Sequence, residues 1–144
     1  MTMRALGVDL GTKRIGLAIS DSDGTVATPI GVIQRTSDPM VHRRAIAAEV
    51  AEWEAEIVVI GLPTSLDGTA GPAAQAALAE RAALDDHLSV PVATYDERLT
   101  TVVAQQHLQA QGVSTREQRK MVDAVAAAVM LQGWLDHREP PDQE

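Results

Sequence analysis

Apolar and polar residues alternate with a period of two in the first third of the chain, as in strands that bury one face. The alternation predicts strands at residues 3–9, 15–20 and 27–33, joined by short turns. In the first of them, Ala5, Gly7 and Asp9 share one face. Pro29 within the third predicts an edge strand or a bulge, because proline cannot donate to a neighbouring strand. The pattern indicates an antiparallel meander.

After residue 36 the period becomes helical. Asp38 followed by Pro39 is typical of a helix start, and the helix is predicted to run to about residue 55. Its apolar residues at helical spacing are predicted to face the sheet, and they are Val41, Ile46, Val50 and Trp53. The wholly apolar run 57–61 predicts a strand buried on both faces.

The remaining elements alternate between helix and strand. They are predicted as a helix at 72–87 that opens with Pro72, a strand at 90–95, a helix from Thr100 or Thr101 to about 111, and a helix at about 119–136. Ser114 with Glu117 resembles a capping box, which would start the last helix earlier. The order β-β-β-α-β-α-β-α-α predicts an α/β fold, a mixed five-stranded sheet flanked by helices. We expect one domain over residues 1–136 and a frayed acidic tail over 137–144.

Composition narrows the class of protein. The 144 residues carry a formal net charge of −8, no cysteine and only 2% aromatic residues. Disulfide frameworks, thiolate metal sites and aromatic base-stacking platforms are therefore excluded. No leader or membrane span is visible, so a cytoplasmic protein without membrane contact is expected. The acidic balance argues against a passive polyanion binder, but it does not exclude a nuclease with metal-binding carboxylates.

Four acidic residues at three places in the chain stand out because they accompany apolar elements. Asp9 lies inside the first strand, Asp96 and Glu97 follow the fifth, and Asp123 lies near the start of the last helix. Each has an ordinary alternative. Asp9 could pair with Lys13 or cap its own turn, Asp96 or Glu97 could cap a helix or lie on the surface, and Asp123 could serve the helix dipole.

Taken together, these acids predict a metal site. Carboxylates at two strand ends and on a helix can converge beside the sheet, where they repel one another unless a divalent cation compensates. Oxygen ligands without cysteine or paired histidine favour Mg²⁺ or Mn²⁺. Two such ions would activate a water for hydrolysis of a phosphodiester.

Further polar residues are candidates for substrate contacts. The loop G-L-P-T-S-L-D-G-T at 61–69 offers Thr64, Ser65 and Thr69 to a phosphate, although turn chemistry alone would also explain it. Six of the twelve basic residues lie near the motifs, and they are Lys13, Arg14, Arg98, Arg116, Arg119 and Lys120. The four histidines lack metal-ligand spacing and are predicted at the surface.

Four blocks in this chain resemble the signature blocks of the YqgF/RuvX family. They are GVDLGTKRIGLAISD, GLPTSLDGT, DERLTT and DAVAAAVMLQGWL, and they occur in family order over nearly the whole chain. The family is described as pre-16S rRNA nucleases and Holliday-junction-resolvase-like proteins with an RNase H-like fold. The resemblance implies that Asp9, Glu97 (or Asp96) and Asp123 are the catalytic, metal-binding carboxylates. It also implies that Lys13, Arg14, Arg98 and the 61–69 loop, with Asp67, lie along a substrate groove.

One departure from the wider RNase H-like pattern concerns the second carboxylate. Relatives commonly carry an acid on strand four, where this chain has Gly61. The second carboxylate must then come from Asp96 or Glu97, and Glu97 is favoured because its side chain is longer.

Three functions follow from these observations. The first is a metal-dependent endonuclease that cuts structured RNA, at the 5′ end of pre-16S rRNA, or branched DNA. The alternative is a non-catalytic RNase H-like domain that binds nucleic acid. An actin-like ATPase, suggested by V-D-L-G-T, is disfavoured because 144 residues provide one lobe rather than two. Junction resolution would require paired active sites and hence a homodimer, whereas trimming one strand would not.

Overall fold

The structure is a computed structural model that describes residues 4–11, 13–62, 71–96 and 115–137, with Ala73, Asp96 and residues 115–121 described by their backbone alone. Its strands are β1 (Ala5–Leu10), β2 (Arg14–Ser20), β3 (Ala27–Gln34), β4 (Ile57–Leu62) and β5 (Val92–Asp96). They form one sheet in the order β3-β2-β1-β4-β5. Strands β1, β2 and β3 pair antiparallel, whereas β1, β4 and β5 run parallel. The predicted mixed five-stranded sheet is confirmed.

The described helices are α1 (Pro39–Trp53), α2 (Pro72–His87) and α3 (Thr115–His137). At the start of α1, Asp38 accepts a hydrogen bond from the Met40 backbone N–H at 3.0 Å, as its capping role predicts. Helix α3 begins at Thr115, in agreement with the earlier of the two predicted starts. The helix predicted up to residue 111 lies outside the described residues. No helix in the described part of the chain is long and apolar enough to cross a membrane.

Strand β3 has both features that its proline predicts. It lies at an edge of the sheet, and its register against β2 shifts between Leu17 and Ala18, which pair with Gly31 and Pro29. Ile30 is therefore the extra residue of a β-bulge. Edge strands and bulges are the places in a sheet that tolerate proline, which has no N–H to donate.

The sheet carries helices on both faces, and the alternation in β1 decides which side chain meets which helix. Leu6 and Val8 lie in a buried cluster with residues of α1 and α2. Ala5 lies in a second cluster formed mainly with α3. Asp9 is four residues after Ala5 in the same strand, so its side chain lies on the same face of the sheet, the one covered by α3.

The predicted site residues that the structure describes lie at one end of the strands. The parallel strands β1, β4 and β5 all end there, at Leu10, Leu62 and Asp96. Strand β2 begins and β3 ends at the same edge, because Arg14 pairs with Gln34. We call it the carboxyl edge. Ligands of open α/β sheets bind preferentially at such an edge.

Two predictions about α1 are wrong. Val41 is 43% exposed rather than turned to the sheet, although Ile46 and Val50 are buried as expected. His42, predicted at the surface, is 1% exposed. It occupies the inward position of the first turn because its Nε2 lies 3.0 Å from Glu80 Oε2 in α2. Exposure of the histidines at positions 87 and 137 agrees with the prediction, and position 107 lies outside the described residues.

The same Glu80 binds a second residue of α1, and this network sets an expected pH dependence of stability. Arg43 donates from Nε and Nη2 to the two Glu80 oxygens at 2.8 and 2.9 Å. Burial raises the pKa of Glu80, but hydrogen bonds and charges from Arg43 and His42 outweigh it and hold the pKa below its ordinary value of 4.5. An acid with a lowered folded-state pKa stabilises the fold above its unfolded-state pKa. That contribution disappears as the pH falls below about 4.5 and through the folded-state value.

Replacing Glu80 with Gln is expected to lower the free energy of unfolding by about 2–3 kcal/mol at pH 7, because the buried His42 and the partly buried Arg43 lose their charged acceptor. Urea denaturation between about pH 3.5 and pH 7 measures the effect, and the difference from wild type should shrink toward the acid end. Asp85→Asn, at an exposed position of the same helix, is the control and should change stability by less than about 0.5 kcal/mol. A Glu80→Gln difference that stays constant with pH would contradict this assignment.

Candidate active site

Helix α3 lies directly on the backbone of β1 and β2 because glycines face it. A Cβ at Gly16 would lie 1.8 Å from the backbone oxygen of Asp123, and a Cβ at Gly7 would lie 2.9 Å from Leu131 Cβ. The helix meets these glycines with a run of buried alanines. The close approach brings Asp123 down to the level of the sheet.

Asp9 lies beside this contact. It is the cross-strand partner of Gly16 in the β1–β2 ladder, so their Cβ positions lie on one face, about 5 Å apart. Together with the 1.8 Å approach at Gly16, this puts the Asp9 Cβ within about 7 Å of the Asp123 backbone oxygen. Burial raises the pKa of the Asp9 carboxyl, and the negative charge of Asp123 raises it further. The structure thus brings two of the three predicted carboxylates together.

The two acids differ in their partners. Arg14 Nε donates to Asp123 Oδ2 at 2.7 Å, with side chains that are 48% and 25% exposed. An ion pair this open to solvent contributes at most about 1 kcal/mol to stability, so its main effect is to orient the Asp123 carboxylate. Within the described residues, the Asp9 carboxylate has no ion pair or hydrogen bond, and it does not pair with Lys13. Among the described residues, nothing therefore compensates a negative charge on the partly buried Asp9 carboxyl.

The donor set fits a divalent metal ion. Asp9 and Asp123 are oxygen ligands, and a cation between them would relieve both the desolvation and the repulsion that act on Asp9. The described residues alone hold no group of three or more potential ligands. The third carboxylate is predicted from Asp96 or Glu97. Asp96 ends β5 at the carboxyl edge, where its backbone pairs with Leu62, and Glu97 lies outside the described residues.

Among the predicted substrate-binding residues, Arg14 is paired with Asp123, and the others fall into two groups. Lys13 is exposed in the turn between β1 and β2, and Arg119 and Lys120 lie in α3, about one helical turn before Asp123. These belong to the neighbourhood of the carboxyl edge. Those outside the described residues are Thr64, Ser65, Asp67, Thr69 and Arg98.

Sequence reasoning missed two residues of this region. Gly16 had a usable signal, since a glycine inside an apolar strand marks a close approach of another backbone. Arg35 had none, because its contact is distant in sequence. Its Nη1 donates to the Gly11 carbonyl oxygen at 2.7 Å, beside the turn that follows Asp9.

Comparison with known proteins identifies close relatives. The family model described as "RuvX: Holliday junction resolvase" matches residues 3–137. A protein of Anaeromyxobacter dehalogenans, strain 2CP-1, is 48% identical over 139 residues, which cover 96% of this chain and 100% of the relative. One of Myxococcus xanthus is 44% identical over 142 residues, covering 99% of this chain and 93% of the relative. Both carry the provisional name pre-16S rRNA nuclease.

A solved structure confirms the predicted fold. The chain is similar to Thermus thermophilus RuvC in complex with a Holliday junction substrate, with a TM-score of 0.61 over 96% of this chain and 99% of RuvC. Sequence identity is 15%, so the similarity concerns the fold alone. The fold is RNase H-like, as expected.

Proposed function

We propose, from the premise that this chain belongs to the RuvX family, that the protein is a metal-dependent endonuclease. It would hydrolyse phosphodiester bonds in structured nucleic acid. The approach of Asp9 to Asp123 at the carboxyl edge is the observation that carries the proposal. A domain that only bound nucleic acid would gain nothing from two carboxylates there, because they repel a polyanion. Relatives named as nucleases, matched over nearly their full length, support the same conclusion.

Each residue has a proposed part in the reaction. Asp9, Asp123 and Glu97 would hold Mg²⁺ or Mn²⁺, which when bound activates a water and stabilises the leaving oxygen. Arg14 keeps the Asp123 carboxylate in one orientation through their hydrogen bond. Lys13, Arg98, Arg119, Lys120 and the 61–69 loop would contact the phosphate backbone.

We propose pre-16S rRNA, cut at its 5′ end in the cytoplasm, as the principal substrate. The relatives that carry this name are 44–48% identical to the chain, whereas RuvC, solved with a junction, is 15% identical. Junction DNA is the second substrate to test. Two symmetric cuts in a junction would require a homodimer, and trimming of one RNA strand would not.

The test is cleavage of both substrates by the purified protein. Wild type is incubated with Mg²⁺ or Mn²⁺ and either an RNA carrying the 5′ flank of 16S rRNA or a four-way DNA junction. EDTA and Asp9→Asn serve as controls. The proposal predicts cleavage that disappears in both controls. If wild type cut neither substrate faster than Asp9→Asn does, the proposal would be overturned.

A pair of variants assigns the third carboxylate. Glu97→Gln is expected to lower the cleavage rate about 10³-fold, whereas Asp96→Asn should keep it within about 10-fold, because only one of the two acids would be a metal ligand. Single-turnover rates on the same substrate measure both. The reverse ranking would move the assignment to Asp96.

A further inference from the structure

Arg35 is attached to the turn beside the candidate site by two hydrogen bonds. Its backbone N–H donates to the Lys13 carbonyl oxygen at 2.9 Å, and its guanidinium Nη1 donates to the Gly11 carbonyl oxygen at 2.7 Å. These carbonyls belong to the turn between Asp9 and Arg14. The half-buried guanidinium is thereby held at the carboxyl edge in a defined orientation.

Most N–H donors of this guanidinium remain available to bind a ligand. Arginine carries five N–H donors, and in the described part of the chain Arg35 uses one of them and forms no ion pair with a carboxylate. The acid nearest in sequence, Asp38, accepts the Met40 N–H as the cap of α1. A fixed, partly exposed guanidinium without a carboxylate partner suits the bidentate binding of a phosphate.

Other basic side chains lie near Arg35 at the same edge. Lys13, Arg14 and Arg35 lie at the carboxyl edge. The opposite edge carries acids of the β2–β3 turn and of the end of α1, namely Asp21, Asp23, Glu52, Glu54 and Glu56. The carboxyl edge also holds Asp9 and Asp123, and Arg14 is paired with Asp123. What this edge offers a polyanion is therefore the cationic side chains of Lys13 and Arg35, not a positive net charge.

We propose that Arg35 binds a backbone phosphate of the nucleic acid, so that the substrate path extends from Asp9 across the β1–β2 turn to the connection between β3 and α1. The substrate class rests on the proposed function. The contact itself rests on the position, orientation and free donors of this one side chain.

A control arginine lies at the other edge. Arg4 also donates Nη1 to a backbone carbonyl, that of Trp53 at 3.3 Å, and it lines a shallow recess with Glu52, Glu54 and Glu56. Replacing either arginine by Gln removes one positive charge and one bond to a carbonyl. Only Arg35→Gln removes a group from the proposed substrate path.

The experiment measures binding as a function of salt. Anisotropy titrations use the RNA and the four-way junction described above, in the Asp9→Asn background, over about 50–300 mM KCl. Arg35→Gln is expected to weaken binding about 10-fold at the lowest salt and to reduce the slope of log K against log salt by about 0.7–0.9, the value for one phosphate. Arg35→Lys should keep the slope, because it keeps the charge, and Arg4→Gln should change neither quantity.

Three results would overturn the proposal. The slope could stay unchanged in Arg35→Gln, which would mean that Arg35 only stabilises the β1–β2 turn. It could fall equally in Arg4→Gln, which would reflect net charge, or fall equally in Arg35→Lys, which would reflect distortion of the turn. Cleavage by wild type, measured separately, tells the two proposals apart: an unchanged slope in an active nuclease overturns the Arg35 contact alone, and a reduced slope in an inactive protein overturns the nuclease alone.

Discussion

Replacing Asp9 with Asn is expected to abolish cleavage and, in the absence of metal, to make the protein more stable. The Asp9 carboxylate is partly buried, lies beside Asp123 and has no cationic partner among the described residues. Its ionised form is therefore unfavourable in the folded protein, and a neutral side chain of the same shape removes the penalty. The same substitution removes a metal ligand. We expect the cleavage rate to fall at least about 10³-fold and Tm to rise by about 1–3 °C.

Thermal denaturation with EDTA and with Mn²⁺ measures the stability side of this prediction. Wild type should gain stability on addition of Mn²⁺, because a ligand that binds only the folded state raises Tm, and Asp9→Asn should gain much less. Asp123→Asn is the matched control. It should also lose cleavage, but it should be stabilised less than Asp9→Asn, because relief of the repulsion on Asp9 is offset by loss of the Arg14 ion pair at 2.7 Å. An Asp9→Asn protein that is less stable than wild type without metal would show that the carboxylate is compensated.

The local features of this fold could be predicted from the sequence because each depends on neighbouring residues. The Asp38–Pro39 start of α1 and the edge position of Pro29 follow from the backbone chemistry of those residue types. The face of Asp9 follows from alternation within one strand. These predictions need no knowledge of tertiary contacts.

The predictions that were wrong depend on partners far away in the chain. His42 is buried because Glu80 accepts its hydrogen bond from a different helix, and nothing in the α1 pattern points to that residue. With His42 facing inward, α1 is oriented so that Val41 is exposed to solvent. Arg14 likewise finds Asp123 across 109 residues. The sequence alone predicts both acids of the site, but only the fold shows that the Arg14 side chain orients Asp123.

Replacing Gly16 with Ala is expected to be the most destabilising single-methyl change in this region. The new Cβ would lie 1.8 Å from the Asp123 backbone oxygen and 2.3 Å from its carbonyl carbon. These are main-chain atoms of a helix, so no side-chain rotation relieves the collision. An alanine in a strand would by itself add about 0.5–1 kcal/mol of stability by restricting the unfolded chain. Displacing α3 from the sheet outweighs that gain, and we expect a net loss of about 3–5 kcal/mol.

Two other glycines provide a graded comparison in which the obstacle differs. At Gly7 the nearest atoms are the Leu131 Cβ at 2.9 Å and the Ala127 backbone oxygen at 3.3 Å. Both are fixed by the helix backbone but lie farther away than the obstacle at Gly16, so a smaller displacement of α3 is needed and we expect a loss of about 1–2 kcal/mol. At Gly71 nothing lies within 4 Å and the backbone is extended, so alanine should change stability by less than about 0.5 kcal/mol.

Urea denaturation ranks the three variants, and single-turnover cleavage well below the Tm of Gly16→Ala tests the consequence for the site. A helix that moves by about 1 Å carries Asp123 away from Asp9, and a misplacement of that size lowers a reaction rate about 10²-fold. The folded fraction of Gly16→Ala should therefore cleave slowly, whereas Gly71→Ala should cleave at the wild-type rate. If Gly16→Ala instead matched Gly71→Ala in both stability and rate, α3 could not lie in contact with β2, and the approach of the two carboxylates would lose its structural basis.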